Sequence, residues 1–142
     1  MSAVDVAERP RPEPSDLTRP FWDAAREHRL VRQVCDDCGR SRFTPQIACP
    51  ACLSTASTWT PSTGRGTVYS ATVVHRAPYP GFTSPYHVVM VDLEEDWTML
   101  SNLVGTGAEP VAIGTAVEVD WLELDDELTL PVFRPVDAGA GR

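Results

Sequence analysis

The sequence predicts a mainly β fold, in which a short N-terminal helix and a cysteine-bearing ribbon precede a five-stranded barrel. Three observations carry that prediction. All four cysteines fall within "CDDCGRSRFTPQIACPAC", residues 35–52. Beyond Trp59 the apolar residues settle into period two, in segments separated by Pro, Gly and acidic turns. The one stretch rich in helix formers, "FWDAAREHRL", lies ahead of the cysteines. At 142 residues the chain makes one domain, or two very small ones sharing a core. A barrel of that size buries enough apolar surface to stand, whereas a ribbon this short needs a staple.

In chain order, residues 1–17 are polar, carry Pro10, Pro12 and Pro14, and show no periodicity. They are expected to form a disordered arm able to dock on a partner. Residues 18–60 are expected to hold the helix and the ribbon. Thr18 is placed to cap, Pro20 suits a first turn, and Phe21, Trp22 and Ala25 make a short apolar face. That face either covers the ribbon and barrel or binds a partner, which makes Phe21 and Trp22 candidate partner-binding residues. "LVRQVC" leads into the cysteines as a strand, and "PSTGRG" after Trp59 is a turn-rich hinge.

Residues 61–136 carry the barrel. "GTVYSATVVHR" is β-branched, "APYPGFTSP" is a loop, and "YHVVMVDL" and "WTMLSNLV" flank the acidic turn Glu94-Glu95-Asp96. "AVEVDWLEL" sets Val117, Val119 and Trp121 against Glu118 and Asp120, and "LTLPVFRPV" closes the set, with Pro131 marking an edge strand or bulge. Five such strands fit a small, partly open barrel, of which the OB-fold is the best-populated kind. Residues 137–142 form a tail.

Two Cys-x-x-Cys knuckles ten residues apart are able to surround one ion tetrahedrally with four thiolates. Such a site is closed. It leaves no position for water or substrate, and His28, His75 and His87 all lie outside the ribbon segment. Structural Zn²⁺ on Cys35, Cys38, Cys49 and Cys52 is therefore expected, with rubredoxin-like iron the runner-up. No apolar h-region opens the chain and no run reaches bilayer length, so a cytoplasmic protein with reduced thiols and no membrane contact is expected.

The formal net charge is −8. Residues 1–45 balance eight Arg against eight acids, while residues 46–142 set four Arg against twelve. That barrel half repels a polyphosphate backbone, which counts against a nucleic-acid-binding module, the alternative reading of a ribbon joined to a barrel. There is no lysine, so Schiff-base and P-loop chemistry are excluded. "GRG" at 64–66 precedes a strand and so fails as a dinucleotide fingerprint. Arg65, Arg76 and Arg134 are the fixed cations available to an anion between Gln46 and Val136. Arg65 and Arg76, with Tyr79 and Phe82 of the Pro-rich loop, are candidate ligand-binding residues. His75 and His87 flank that loop, and a free-standing hydrolase or lyase would use one of them. No Ser or Cys sits beside either in an activating signature, so no catalytic residue is assigned.

Taken in order, "PFWDAAREHRLV", the cysteine ribbon, "GRGTVYSATVVHR", "IGTAVEV" and "PVFRP" resemble the DUF35 family, from about Arg19 to Val136. The resemblance implies a rubredoxin-like zinc ribbon before an OB-fold. It also implies a companion of thiolase-like proteins acting on acyl-CoA thioesters, in complexes of aldolase, acyltransferase or thiolase/synthase type. On that reading the chain works in a hetero-oligomer and the partner supplies the catalytic Cys, His or Tyr. The barrel then serves acyl-CoA and protein contacts instead of nucleic acid, with Arg65 near the pantetheine or phosphate path.

Overall fold

The computed structural model describes residues 8–136. Helix α1 (Arg19–Arg26) is followed by the ribbon strands β1 (Val31–Cys35), β2 (Ser41–Arg42) and β3 (Ser57–Pro61). The barrel strands are β4 (Arg65–Val74), β5 (Tyr86–Leu93), β6 (Trp97–Leu103), β7 (Ala116–Glu123) and β8 (Thr129–Pro135). Among the described residues no helix is long and apolar enough to cross a membrane.

Helix α1 starts after Thr18, with Pro20 in its first turn. Thr18 makes no side-chain cap bond; its hydroxyl instead accepts from the Ser15 N–H at 2.9 Å. At the other end His28 takes φ 57°, a left-handed turn that lets the Arg29 N–H reach the Ala24 carbonyl at 2.9 Å. The helix buries Phe21, Ala24 and Ala25 and leaves Trp22 half-buried. Phe21 meets Phe43 at 5.4 Å between ring centroids, and Phe43 meets Trp97 at 5.6 Å. Of the two expectations for this face, Phe21 follows the first: at 3% exposure it joins the core.

The ribbon is a three-stranded antiparallel sheet in the order β2-β1-β3. Burial alternates along β1, turning Val31, Gln33 and Cys35 inward. The barrel order is β4-β5-β6-β8-β7, with β7 returning to β4 through Arg65↔Glu118, Gly66↔Val117 and Thr67↔Ala116. It is closed instead of partly open, but only just. Strands β6 and β8 run parallel and meet at the single pair Leu103↔Phe133. Pro131 sits on that thinly paired strand, where a missing N–H is tolerated. One core spans all three parts, with Phe21, Leu30 and Val31 packed with Val68, Val91, Trp97, Met99, Val117 and Phe133.

Both glycines of "GRG" have steric reasons to be there. Gly64 takes φ +74°, and a Cβ there would lie 2.3 Å from Val119 Cγ1. A Cβ on Gly66 would lie 2.2 Å from the Asp92 carbonyl oxygen, a backbone atom of the paired strand. Backbone approach explains the motif.

The described part of the arm differs from the expected disorder. Arg9 is 6% exposed, donates from Nε to the Gly81 carbonyl at 3.2 Å and lies 4.3 Å from the centroid of Phe82. Arg11 pairs with Asp125 and Glu127. These contacts strap residues 8–17 across the barrel's loops. Residues 1–7 of the arm, and the tail 137–142, lie outside the described residues.

Candidate metal centre

The two knuckles repeat one backbone design. In the first, the Gly39 N–H donates to the Cys35 carbonyl at 2.9 Å and the Cys35 N–H to Arg40 O at 2.9 Å. In the second, the Leu53 N–H donates to Cys49 O and the Cys49 N–H to Ser54 O, both at 2.8 Å. Each loop turns through a left-handed residue, Gly39 at φ 75° and Leu53 at φ 66°. The second knuckle thus accepts a leucine where glycine is the easier choice. Side chains tie the first knuckle to β3 and to the second knuckle: the Thr58 hydroxyl donates to Asp36 at 2.7 Å, and the Ser54 hydroxyl donates to Asp37.

These turns bring the four sulfurs together, all within 4.8 Å of one another. Cys35 Sγ lies 3.5 Å from Cys52 Sγ, and Cys38 Sγ lies 3.7 Å from Cys49 Sγ. A zinc tetrahedron with bonds of about 2.3 Å has sulfur–sulfur edges of about 3.8 Å, so the residues present fit the ion. The backbone also prepares the charge. The Cys52 and Ala51 N–H groups point at Cys49 and lower its thiol to about 6. The Cys38 N–H likewise lowers Cys35. For Cys52, the Ser54 N–H pulls down, but Cys35, burial and the other two thiols outweigh it and push it up to about 12. Four like groups around one point resist ionising together until a cation arrives. The zinc site is structural, with all four positions taken by protein.

The remaining sequence candidates do not converge. Arg65 is exposed and its Nε donates to Glu94 at 3.3 Å. Arg76 and Tyr79 are exposed, while Phe82 sits between Arg9 and Tyr86, whose ring centroid is 5.2 Å away. None of the four lines the cavity of about 570 Å³ formed by Arg9, Tyr86, His87, Asn102 and the 104–108 loop. His87 is 4% exposed and its Nε2–H donates to the Gly107 carbonyl at 2.8 Å, so it ties a loop to the barrel. His75 stands exposed beyond the Val73↔His87 pair. Trp22 lines a groove of about 350 Å³ with Arg11, Arg19, Arg26 and Leu128.

Sequence reasoning missed two polar networks, one buried and one half-buried. Gln33 Oε1 accepts from Arg42 Nε at 3.2 Å and from the Gln46 N–H at 2.8 Å. The inward run Val31, Gln33, Cys35 was the available signal, because a polar residue between two inward apolar ones needs a partner. The second is Glu95, which accepts from the Thr63 N–H at 2.7 Å, the Ser62 hydroxyl at 2.8 Å and the Trp97 indole at 3.3 Å. Burial opposes its ionised form, but these three donors outweigh it and hold the carboxyl below the usual range.

A closed four-thiolate ribbon packed on a five-stranded barrel defines a zinc-ribbon and OB-fold protein. Residues 22–58 match the family model "ChsH2, rubredoxin-like zinc ribbon domain", and residues 59–122 match "ChsH2, C-terminal OB-fold domain". A chain of the solved structure "Ltp2-ChsH2(DUF35) aldolase" is 42% identical, with TM-score 0.81, covering 88% of this chain and 98% of that one. The chain belongs to the DUF35 family. It is also similar to the probable enoyl-CoA hydratase alpha subunit of Thermomonospora curvata, at 44% identity over 127 residues (88% of this chain). The 3-oxo-4,17-pregnadiene-20-carboxyl-CoA hydratase alpha subunit of Mycobacterium tuberculosis is 37% identical over 116 residues (82% of this chain). The chain spans 40% and 37% of the length of these two relatives.

Proposed function

We propose that the chain is a non-catalytic, zinc-containing accessory subunit of a thiolase-like enzyme complex acting on acyl-CoA thioesters. The observation that carries this reading is the closed metal centre on a chain 42% identical, over 88% of its length, to the DUF35 chain of an aldolase assembly. A four-sulfur site has no position for a reacting group, so the metal's work here is to hold the ribbon. His87, the better placed of the two candidate bases, spends its Nε2 proton on a backbone carbonyl. The chemistry then belongs to the partner: retro-aldol cleavage, acyl transfer, or thiolysis and condensation. This chain supplies a rigid surface, with half-buried Trp22 one contact point and the barrel's arginines and loop aromatics facing the CoA moiety.

The test is co-expression with a thiolase-like protein encoded beside its gene, followed by size-exclusion chromatography with light scattering and zinc analysis. A stable zinc-containing hetero-oligomer is expected, with acyl-CoA turnover only in the complex. Turnover by the isolated chain, lost in His75→Ala or His87→Ala, would replace this reading with a free-standing enzyme.

A further inference from the structure

Helix α1 turns Phe21, Ala24 and Ala25 into the core and sends a second stripe outward. Arg19, Trp22 and Arg26 stand at i, i+3 and i+7 on that stripe, with Asp23 beside Trp22. Together with Arg11 and Leu128 they line a groove of about 350 Å³. Arg11 is engaged by Asp125 and Glu127. The side chains of Arg19, Asp23 and Arg26 are exposed, and among the described residues none of the three forms an ion pair or a hydrogen bond. Arg19 is also unfavourable locally. It is the first helical residue, at the positive end of the helix dipole, and the first turn carries no acid to offset it. Arg26, in the last turn, suits the dipole. Helix stability therefore explains Arg26 but not Arg19.

We propose that this stripe seats a segment of the partner polypeptide that carries two carboxylates about 10 Å apart, a basic residue between them and an apolar side chain over Trp22. This rests on the accessory-subunit reading and adds where the partner docks and with what chemistry. The spacing follows from the helix, in which a rise of about 1.5 Å per residue separates Arg19 from Arg26. The sign order follows from the free charges. Arg19, Asp23 and Arg26 read plus, minus, plus, so the complementary surface reads minus, plus, minus. Each arginine fork matches the two oxygens of a carboxylate. Asp23 counts against a contiguous polyanion, such as the phosphates of a nucleotide, which would meet its charge head-on. Trp22, half-buried and 5.2 Å from Phe21 between ring centroids, supplies the rigid apolar contact between the two arginines. Tryptophan and arginine together are the side chains most enriched where binding energy concentrates in protein interfaces.

The test measures the affinity of the co-expressed partner for wild type, Arg19→Glu/Arg26→Glu and Asp23→Asn, with zinc content and melting temperature as controls. All three residues are exposed, so both variants are expected to keep their zinc and to melt within a few degrees of wild type. The double reversal is expected to weaken the complex about tenfold or more, and Asp23→Asn about threefold. Unchanged affinity in the double reversal would overturn the proposal. So would tighter binding by Asp23→Asn, which would mark a contiguous polyanion as the occupant. If the double reversal fails to fold, the neutral pair Arg19→Gln/Arg26→Gln decides: weakened association keeps the stripe as the seat, and wild-type affinity removes it. If wild type itself forms no complex, the accessory-subunit reading fails and this proposal falls with it. A complex that forms and ignores these charges removes the proposal alone.

Discussion

The Glu95 carboxylate accepts the Thr63 backbone N–H at 2.7 Å, closing the segment that joins ribbon to barrel onto the turn between β5 and β6. Ser62 adds a second bond to Glu95, and the Thr63 hydroxyl donates to Glu94 at 2.9 Å. What reads in sequence as a hinge facing a solvating acidic turn is a clamp between the two parts.

Glu95→Gln is therefore expected to destabilise the fold by about 1 kcal/mol at neutral pH, allowing for solvent screening of a half-buried group. The folded-state carboxyl lies below its ordinary value, so its stabilisation is full above the ordinary glutamate range. It is lost as pH falls through the folded-state value. Urea melts of wild type and Glu95→Gln should differ at pH 7 and converge only once the pH has fallen below the folded-state value. A difference that persisted into acid would mean that Glu95 acts through packing.

Gly66→Ala is expected to cost more than Gly64→Ala. The first drives a methyl into the Asp92 carbonyl, which the β4–β5 ladder holds in place. The second meets a Val119 methyl, which is able to rotate, but adds a positive φ. Losses of about 3 and about 2 kcal/mol are reasonable scales. Chemical denaturation of the two variants gives the order directly.

Phe21→Ala and Trp22→Ala should part company. Truncating Phe21 empties the site against Phe43, for about 3 kcal/mol or more of stability. Trp22, half-buried and 5.2 Å from Phe21 in an edge contact, should cost about half that in the isolated chain. Its loss should weaken partner association by the larger factor. Equal effects of Trp22→Ala on melting and on association would place it in the core as well.

Removing the metal should unfold the ribbon. Cys35→Ser/Cys49→Ser, or prolonged exposure to a strong chelator, is expected to yield zinc-free protein that has lost ribbon protection in hydrogen exchange and no longer binds its partner. A zinc-free chain with an unchanged exchange pattern would show that β1, β2 and β3 hold without it.

The mainly β class, the order of parts and the metal ligands were legible because each leaves a local mark: period two along β5 and β7, and two matched cysteine spacings. What was not legible depends on distant partners. Phe21 and Trp22 look alike in sequence, and only Phe43 and Trp97 decide which one the core takes. Glu95 resembles any turn carboxylate until Ser62 and Thr63 come beside it. Arg9 belongs to a proline-rich arm by composition, yet Gly81, Phe82 and Asn102 hold it. Barrel closure through Leu103↔Phe133 joins residues with no shared pattern.

That closure also orders events during synthesis. All four metal ligands lie between Cys35 and Cys52, so the nascent chain is able to load its ion while the barrel strands are still being made. The barrel has to wait for β8, the last strand, to fill the space between β6 and β7. A released chain cut short before Thr129 would therefore expose two unpaired strand borders beside a finished ribbon, and that species is where a chaperone or the partner subunit would be needed most.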